Sequence, residues 1–364
     1  MAAVSNQEIP VDAWLKILLD DYLNQFVAAG GSAVKVVSGS EEVLARVRQR
    51  LAEQAQQSGF WHAHLDPAEL EESGKKKDLH RMDRFFFECT RAVDYKAWSA
   101  IQVRRHLESR GVRIGPDRAL NDLEAIAGDN SRDPADLMHQ YQAELATPQL
   151  RDHGMAREFR TAVTALGRAQ LMPDANSPNI EEVLLAWFAG QTRPGGATAL
   201  KKIQIYERIS QSNARAMLAS FCHWLPQLGH PGLVVTLDLR PYEGKKPTAA
   251  QLREQKMLSL NEAIEAGLGK DELNAVLHAP DPTGLYYTDL AYQNMLALLR
   301  RFIDEIDSFE RFLLVVLTSR SFYDLGSPRN YHNYDALQTR IGLEVRGANQ
   351  ANPSAALVHL AGAL

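Results

Sequence analysis

A chain of 364 residues with 45% hydrophobic and 23% charged side chains can build two domains, or one large α/β domain with a helical insertion. Its 40 Lys and Arg against 45 Asp and Glu leave a net charge of −5, too balanced for a general affinity for nucleic acid or anionic membrane, so any such contact has to be local. No apolar run approaches the roughly 20 residues of a membrane helix, and Met-Ala-Ala-Val-Ser-Asn-Gln-Glu at the N-terminus lacks the basic-then-apolar form of a secretion signal, which predicts a cytoplasmic protein. Cys89 and Cys222 lack a CxxC partner or a His-Cys cluster, which argues against a zinc knuckle or disulfide framework and predicts buried thiols.

Residues 8–29 space Trp14, Leu15, Leu18, Tyr22 and Phe26 as one helical face that stops at Gly30-Gly31. Ala33-Val-Lys-Val-Val-Ser38 follows as a β-branched strand, and Gly39-Ser40-Glu41-Glu42 supplies a turn, an N-cap serine and first-turn acids for a helix over about 41–57. Phe60–Leu65 reads as a second strand, parallel to the first because a helix crosses between them. Residues 68–79 form a polar loop, and helical spacing then recurs near 80–109, 117–128, 133–147, 152–170 and 179–189 between proline breakers. Residues 190–199 read as a loop, and a helix over about 209–227 leads into Leu233-Val-Val-Thr-Leu-Asp238.

That apolar strand ends in a carboxylate, which is how a parallel sheet presents an acid at the edge where α/β proteins place ligands. After an irregular, partly helical excursion to about 283, residues 286–307 carry Tyr292, Met295, Leu299, Phe302 and Ile306 along one helical side and feed the apolar strand Phe312–Thr318. Shorter strands are predicted at Ile341–Val345 and Ala356–Leu360.

Trp187-Phe-Ala-Gly190, Gly229-His-Pro-Gly-Leu-Val-Val-Thr-Leu-Asp238, Ala297–Glu305, Leu313–Asp324 and Arg340 recur in an order and spacing that together resemble the ATP-binding proteins of bacterial BREX-type phage-defence islands, the BrxD-like group of P-loop ATPases. The resemblance implies an AAA-like three-layer P-loop NTPase fold with a parallel sheet, binding of ATP and Mg²⁺, and work within a multi-protein defence system. Two departures stand against an active site. Ser38-Gly39-Ser40-Glu41-Glu42 occupies the place of the family's Gly-Lys-Thr or Gly-Lys-Ser, so Gly39 and Ser40 mark a degenerate phosphate loop whose two acids would repel a triphosphate. Leu239 stands where the family's strand ends Asp-Glu. Lys35 lies inside the strand and does not replace the missing lysine. At the helix N-terminus, Glu41 and Glu42 are expected to occupy the positive field themselves.

Each candidate residue has a structural and a functional reading. Asp238 is a residual Mg²⁺ ligand or the cap of the following turn. Thr318 is a sensor of the γ-phosphate or an ordinary strand-terminal threonine, and Arg340 acts across a subunit boundary of an oligomer or bridges to an acid such as Asp335. His62, His64 and Asp66 alternate along one strand and could begin the metal site of a hydrolase. The Gly-x₄-Gly spacing at Gly190–Gly195 follows a helix and lacks the lysine, so it reads as a connector. Lys75-Lys76-Lys77, Arg104-Arg105, Lys201-Lys202, Lys245-Lys246 and Arg300-Arg301 are solvated patches, or a DNA-facing surface if the fold gathers them.

The sequence thus predicts an ATPase-like core from residues 1–79 and 191–364, interrupted by helices over 80–190. The expected partners are other defence proteins, with DNA dependent on those basic doublets. Catalysis is expected to be lost. The alternatives are an active ATPase with an unorthodox or partner-completed site, and a metal-dependent hydrolase.

Overall fold

A computed structural model describes residues 9–69, 76–172, 180–191, 193–245, 248–277, 286–343 and 355–361, and all that follows concerns these residues. Seven strands form one parallel sheet: β1 (Ile9–Pro10), β2 (Ser32–Ser38), β3 (Trp61–Leu65), β4 (Leu233–Asp238), β5 (Phe312–Thr318), β6 (Gly342–Leu343) and β7 (Ala355–Ala361). The order across the sheet is β1-β7-β2-β5-β4-β3, with β6 paired to β7. Register aligns the carboxyl ends, since Ser38 lies opposite both Thr318 and His359, Asp238 opposite Leu317, and Leu65 opposite Leu237.

Alternation along the strands sends two sets of side chains to two faces. Ala33, Val37, Val234, Leu313, Val315 and Leu317 face a core completed by α1 (Val11–Ile17, continuing with π-helical spacing as Leu18–Val27) and α2 (Glu41–Gln57). Val34, Val36, Val235, Leu237, Leu314 and Val316 face the larger core. That face carries α3 (Met82–Thr90), α4 (Tyr95–Ser109), α8 (Arg157–Leu171), α9 (Ile180–Phe188), α10 (Gly196–Lys202), α11 (Ala214–Trp224), α12 (Arg240–Glu243), α15 (Asp289–Asp304) and α16 (Asp335–Gln338), and the chain also forms α5 (Leu123–Asp129), α6 (Pro134–Tyr141), α7 (Thr147–Leu150), α13 (Ala249–Glu265) and α14 (Lys270–Leu277).

Not all of these helices reach the sheet. Phe85, Phe159, Trp187 and Phe221 share one continuous apolar cluster with the strands, so much of the helical region packs directly on the sheet. A satellite cluster of Val103, Leu107, Ile126, Leu137 and Tyr141 holds the outer helices together. The two faces follow from chain direction. Connections that run from β1 toward β3 use α1 and α2, whereas those that return use the opposite face, as right-handed crossovers require.

The four longer predicted strands, β2, β3, β4 and β5, stand where the alternation and apolar runs put them, and both cysteines are buried. Four details differ. The predicted helix over 80–109 breaks at Arg91–Asp94, where Asp94 caps the new start by accepting a hydrogen bond from Ala97 at 2.9 Å. The expected loop at 190–199 contains the start of α10, entered through Gly195 at φ 73°. Ile9–Pro10 adds a strand beside β7 that two residues could not announce. Of the predicted strand at 341–345, Gly342–Leu343 pairs with β7 and the remainder lies outside the described residues.

Two glycines offer a matched test of the packing. A Cβ at Gly232, just before β4, would lie 2.3 Å from the carbonyl oxygen of Arg311, whereas one at Gly128 in α5 would meet nothing within 4 Å. Gly232→Ala is therefore expected to cost about 1–3 kcal/mol. Gly128→Ala should be neutral or stabilising by up to about 1 kcal/mol. Urea unfolding of both variants, read as midpoint shifts at constant slope, checks the contrast.

Candidate functional site

The carboxyl edge of the sheet is where neighbouring connections part company. After β2 the chain crosses to the face covered by α2, and after its neighbour β5 it turns to the other face, so a crevice opens between their ends. The loop Gly39-Ser40 borders this crevice. Ser40 caps α2 by accepting from the Val43 amide at 3.4 Å, and its hydroxyl donates to Glu42 at 2.9 Å. Gly39 is needed for closeness, since a Cβ there would meet Val43 at 2.9 Å.

Asp238 does not stand open to the crevice. Its carboxylate, in a residue only 3% exposed, accepts the Arg240 amide at 3.1 Å and so caps the turn after β4. It also accepts the Arg240 guanidinium at 2.8 Å through Nε and 2.5 Å through a terminal nitrogen. The other terminal nitrogen of Arg240 donates to Glu41 at the start of α2. Sequence reasoning expected Glu41 and Glu42 to fill the helix field together. In the structure Glu42 turns back on Ser40, while Glu41 reaches across to Arg240, which ties β4 to α2.

Behind this bridge lies a second carboxylate. Glu243, 9% exposed, accepts from the Ser319 amide at 3.1 Å and from the Ser319 and Ser321 hydroxyls, which joins the exit of β4 to the exit of β5. Burial pushes its carboxyl up to about 7, against the hydrogen bonds from Ser319 and Ser321 that pull it down. Arg329, also buried, spans Tyr242 O at 2.9 Å, Gly244 O at 2.7 Å, Tyr287 O at 2.8 Å and the Asp289 carboxylate at 2.7 Å, holding α12 against the start of α15. At the other side of the crevice Ser38 Oγ lies 2.7 Å from His359 Nδ1, and the Tyr323 ring sits edge-on to that imidazole.

The other predicted residues have equally definite partners. Thr318 is fully buried and its hydroxyl donates to the Val37 carbonyl at 3.0 Å, so it crosses to the neighbouring strand. Arg340 pairs with Asp304 of α15, where Asp335 was the expected acid, and donates to Ala336 O at 2.6 Å. Lys35 lies over the Tyr22 ring at 3.8 Å on the α1 side of the sheet. His62 and His64 do share a face, next to Thr236 at 3.0 Å and Arg48 at 3.4 Å respectively. Asp66 leaves that face, because it lies past the strand end and accepts the Ala68 amide at 2.8 Å to form a turn. Burial, with His64 beside it, lowers His62 to about 4. Among the described residues no three His, Cys, Asp or Glu side chains are grouped to hold a metal ion.

Of the basic runs and doublets, Lys77, Arg104 and Arg105 have internal partners, while Lys75 and Lys246 lie outside the described residues. Lys77, 3% exposed, pairs with Glu69 at 2.7 Å and Glu88 at 3.1 Å. Arg104 donates to the carbonyls of Gly115 and Arg118, and Arg105 to that of Leu228. Backbone carbonyls at loop ends need donors, and these arginines supply them.

Residues 119–266 match the family model of the BREX system ATP-binding protein BrxC/D. The chain is thus similar to the ATP-binding proteins of BREX systems, as the sequence resemblance implied. The match takes in the outer helices, β4 with Asp238 and Arg240, and α13; Gly39, Ser40, Thr318 and Arg340 lie beyond it. Searches of the curated proteins and of the solved structures find no match. No described helix is long and apolar enough to cross a membrane.

At the positions that the sequence resemblance assigns to ATP and Mg²⁺, the side chains present are acids and an ion-paired carboxylate. Two acids sit at the helix start, no lysine follows the glycine, and the one strand-end carboxylate is already paired with Arg240. Arg240 and Glu243 escaped sequence reasoning. The available signal was the Asp-x-Arg spacing of Asp238 and Arg240, since an arginine two residues after a strand-terminal acid is in reach of it.

Two predictions follow from these contacts. Arg240→Ala leaves a buried carboxylate uncompensated and is expected to destabilise the fold by about 1–3 kcal/mol, read by thermal unfolding. For Glu243, a carboxyl whose folded pKa is raised contributes stability below its unfolded pKa that is lost as pH rises through the folded value near 7. Glu243→Gln should therefore raise stability over wild type at pH 8, with the advantage vanishing below about pH 5, in unfolding curves across that range.

Proposed function

We propose that this chain is an ATPase-fold subunit of a BREX-type defence system whose own nucleotide site is closed, and that it works through contacts with other proteins of the system. The observation that carries this reading is Arg240, held between Asp238 and Glu41. A guanidinium there neutralises the acid that would otherwise take Mg²⁺, and it anchors a glutamate at the helix N-terminus that would otherwise receive phosphate. Leu239, buried beside it, offers no carboxylate to orient water. The sheet order and the position of Asp238 support an inherited ATPase framework, and the polar partners of Thr318 and Arg340 support structural roles for both.

A second reading, an active ATP-binding subunit, is favoured by the description of the matched family. Titration calorimetry with ATP and Mg²⁺ separates the two. The closed-site reading expects no binding, or a dissociation constant of about 1 mM or weaker. Micromolar affinity abolished by Asp238→Ala would overturn it.

Reopening the site is the complementary experiment. The double change Glu41→Lys and Glu42→Thr removes the outer partner of Arg240 and restores a lysine and hydroxyl after Ser40. Nucleotide affinity is expected to rise by about tenfold or more, with no fast hydrolysis because Leu239 remains.

A further inference from the structure

His223 stands in the last turn of α11 with a carboxylate on each ring nitrogen. Nε2 lies 3.0 Å from Asp152 Oδ2, in the loop between α7 and α8, and Nδ1 lies 3.0 Å from Glu310 Oε2, in the turn before β5. A neutral imidazole has one N–H, so it donates to one of these acids and turns a lone pair on the other; only the imidazolium donates to both. The carboxyl end of a helix also favours a cation.

We propose that His223 is a proton-operated clamp: with its proton it fastens the loop before α8 and the turn before β5 to α11, and on losing the proton it releases Glu310. That turn is a junction at the amino edge of the sheet. Arg311, at φ 57°, accepts the Leu233 amide on its carbonyl at 2.8 Å and donates its own amide to Gly30 O at 3.2 Å. Its guanidinium donates to the carbonyls of Ala28 and Pro231. β2, β4 and β5 begin beside it, at the end of the sheet opposite the crevice, so the clamp ties the helical layer to the sheet separately from the Arg240 bridge.

The two arms of the clamp differ. The loop has further ties, since the Ala156 amide donates to Ser220 Oγ of α11 at 2.7 Å, Arg160 donates to Asp152 O at 2.8 Å, and Asp152 Oδ1 accepts the Gly154 amide at 2.9 Å. Gly154 lies against the ring, where a Cβ would come within 2.5 Å of His223 Cε1. The Glu310 side chain is 62% exposed against 26% for Asp152, so water can solvate Glu310 once the proton leaves. The single N–H of neutral His223 therefore stays with Asp152.

Burial pulls the imidazole pKa down, but the Glu310 hydrogen bond and the charge of Asp152 outweigh it and hold the ring above the usual histidine value. The other charges nearby are engaged elsewhere or face water. Arg215, the remaining charged residue of α11, pairs with Glu305; Arg160 and Arg311 are turned onto backbone carbonyls; Arg151 and His153 are exposed. A raised folded pKa gives stability that is fully present below the unfolded value and is lost as pH rises through the folded one.

A carbon-13 histidine NMR titration of the whole chain tests this, with the His223→Gln protein identifying the resonance. The midpoint is expected above about 6.5, and it should fall by about 0.5 or more in both Asp152→Asn and Glu310→Gln proteins. Glu310→Gln, at an exposed position, makes a second distinction, because an amide can accept from Nδ1–H or donate to the bare nitrogen and so needs no proton on the ring. In urea unfolding, the stability of wild type relative to Glu310→Gln should therefore decline as pH rises from about 6 to about 9. A wild-type midpoint at or below about 6.5, a midpoint that either substitution leaves in place, or a stability difference that is flat across that range would each overturn the proposal.

Discussion

Every strand of this sheet runs parallel to its neighbours, and that constraint shapes the rest of the molecule. A parallel sheet cannot leave a face to water, because its crossovers run over both faces and its strands are apolar on both sides. The two covers are unequal. One face is sealed by α1 and α2 alone, while the other carries the helices between β3 and β4 together with α15. Both covers meet at the carboxyl edge, where the connections after β2 and β5 diverge and where any ligand of such a sheet would sit.

What occupies that edge is a set of internal bonds. Arg240 joins β4 to α2 through Asp238 and Glu41, Glu243 joins the exits of β4 and β5 through Ser319, and Arg329 fastens α12 to α15. These polar groups face one another. Satisfied buried networks of this kind hold loops in one arrangement, and an edge so held presents a fixed outer surface.

The family match and the geometry address different parts of the chain. The match lies over α5 to α11, β4, α12 and α13, most of the helical region together with one interior strand of the sheet. The phosphate-loop position and the sensor-like strand fall outside it. The family match therefore bears on β4 and its neighbouring helices and leaves the loop at Gly39-Ser40 outside its reach.

The longer strands and their order of appearance were legible in the sequence, because the largely apolar, valine-rich runs at 33–38, 233–237 and 312–318 have few other solutions in a chain of this kind. So was the absence of a lysine from Ser38–Glu42, which holds whatever the fold. The sequence likewise placed Asp238 at a strand end and Ser40 at a helix cap, both local matters of periodicity and capping. Strand order, the pairing of Glu41 with Arg240 across 199 positions, and the burial of Glu243 against Ser319 were decided only by the tertiary structure. The reason is physical: propensity and spacing act over a few residues, whereas a salt bridge or a buried carboxyl exists only once a crossover has brought distant segments to the same edge.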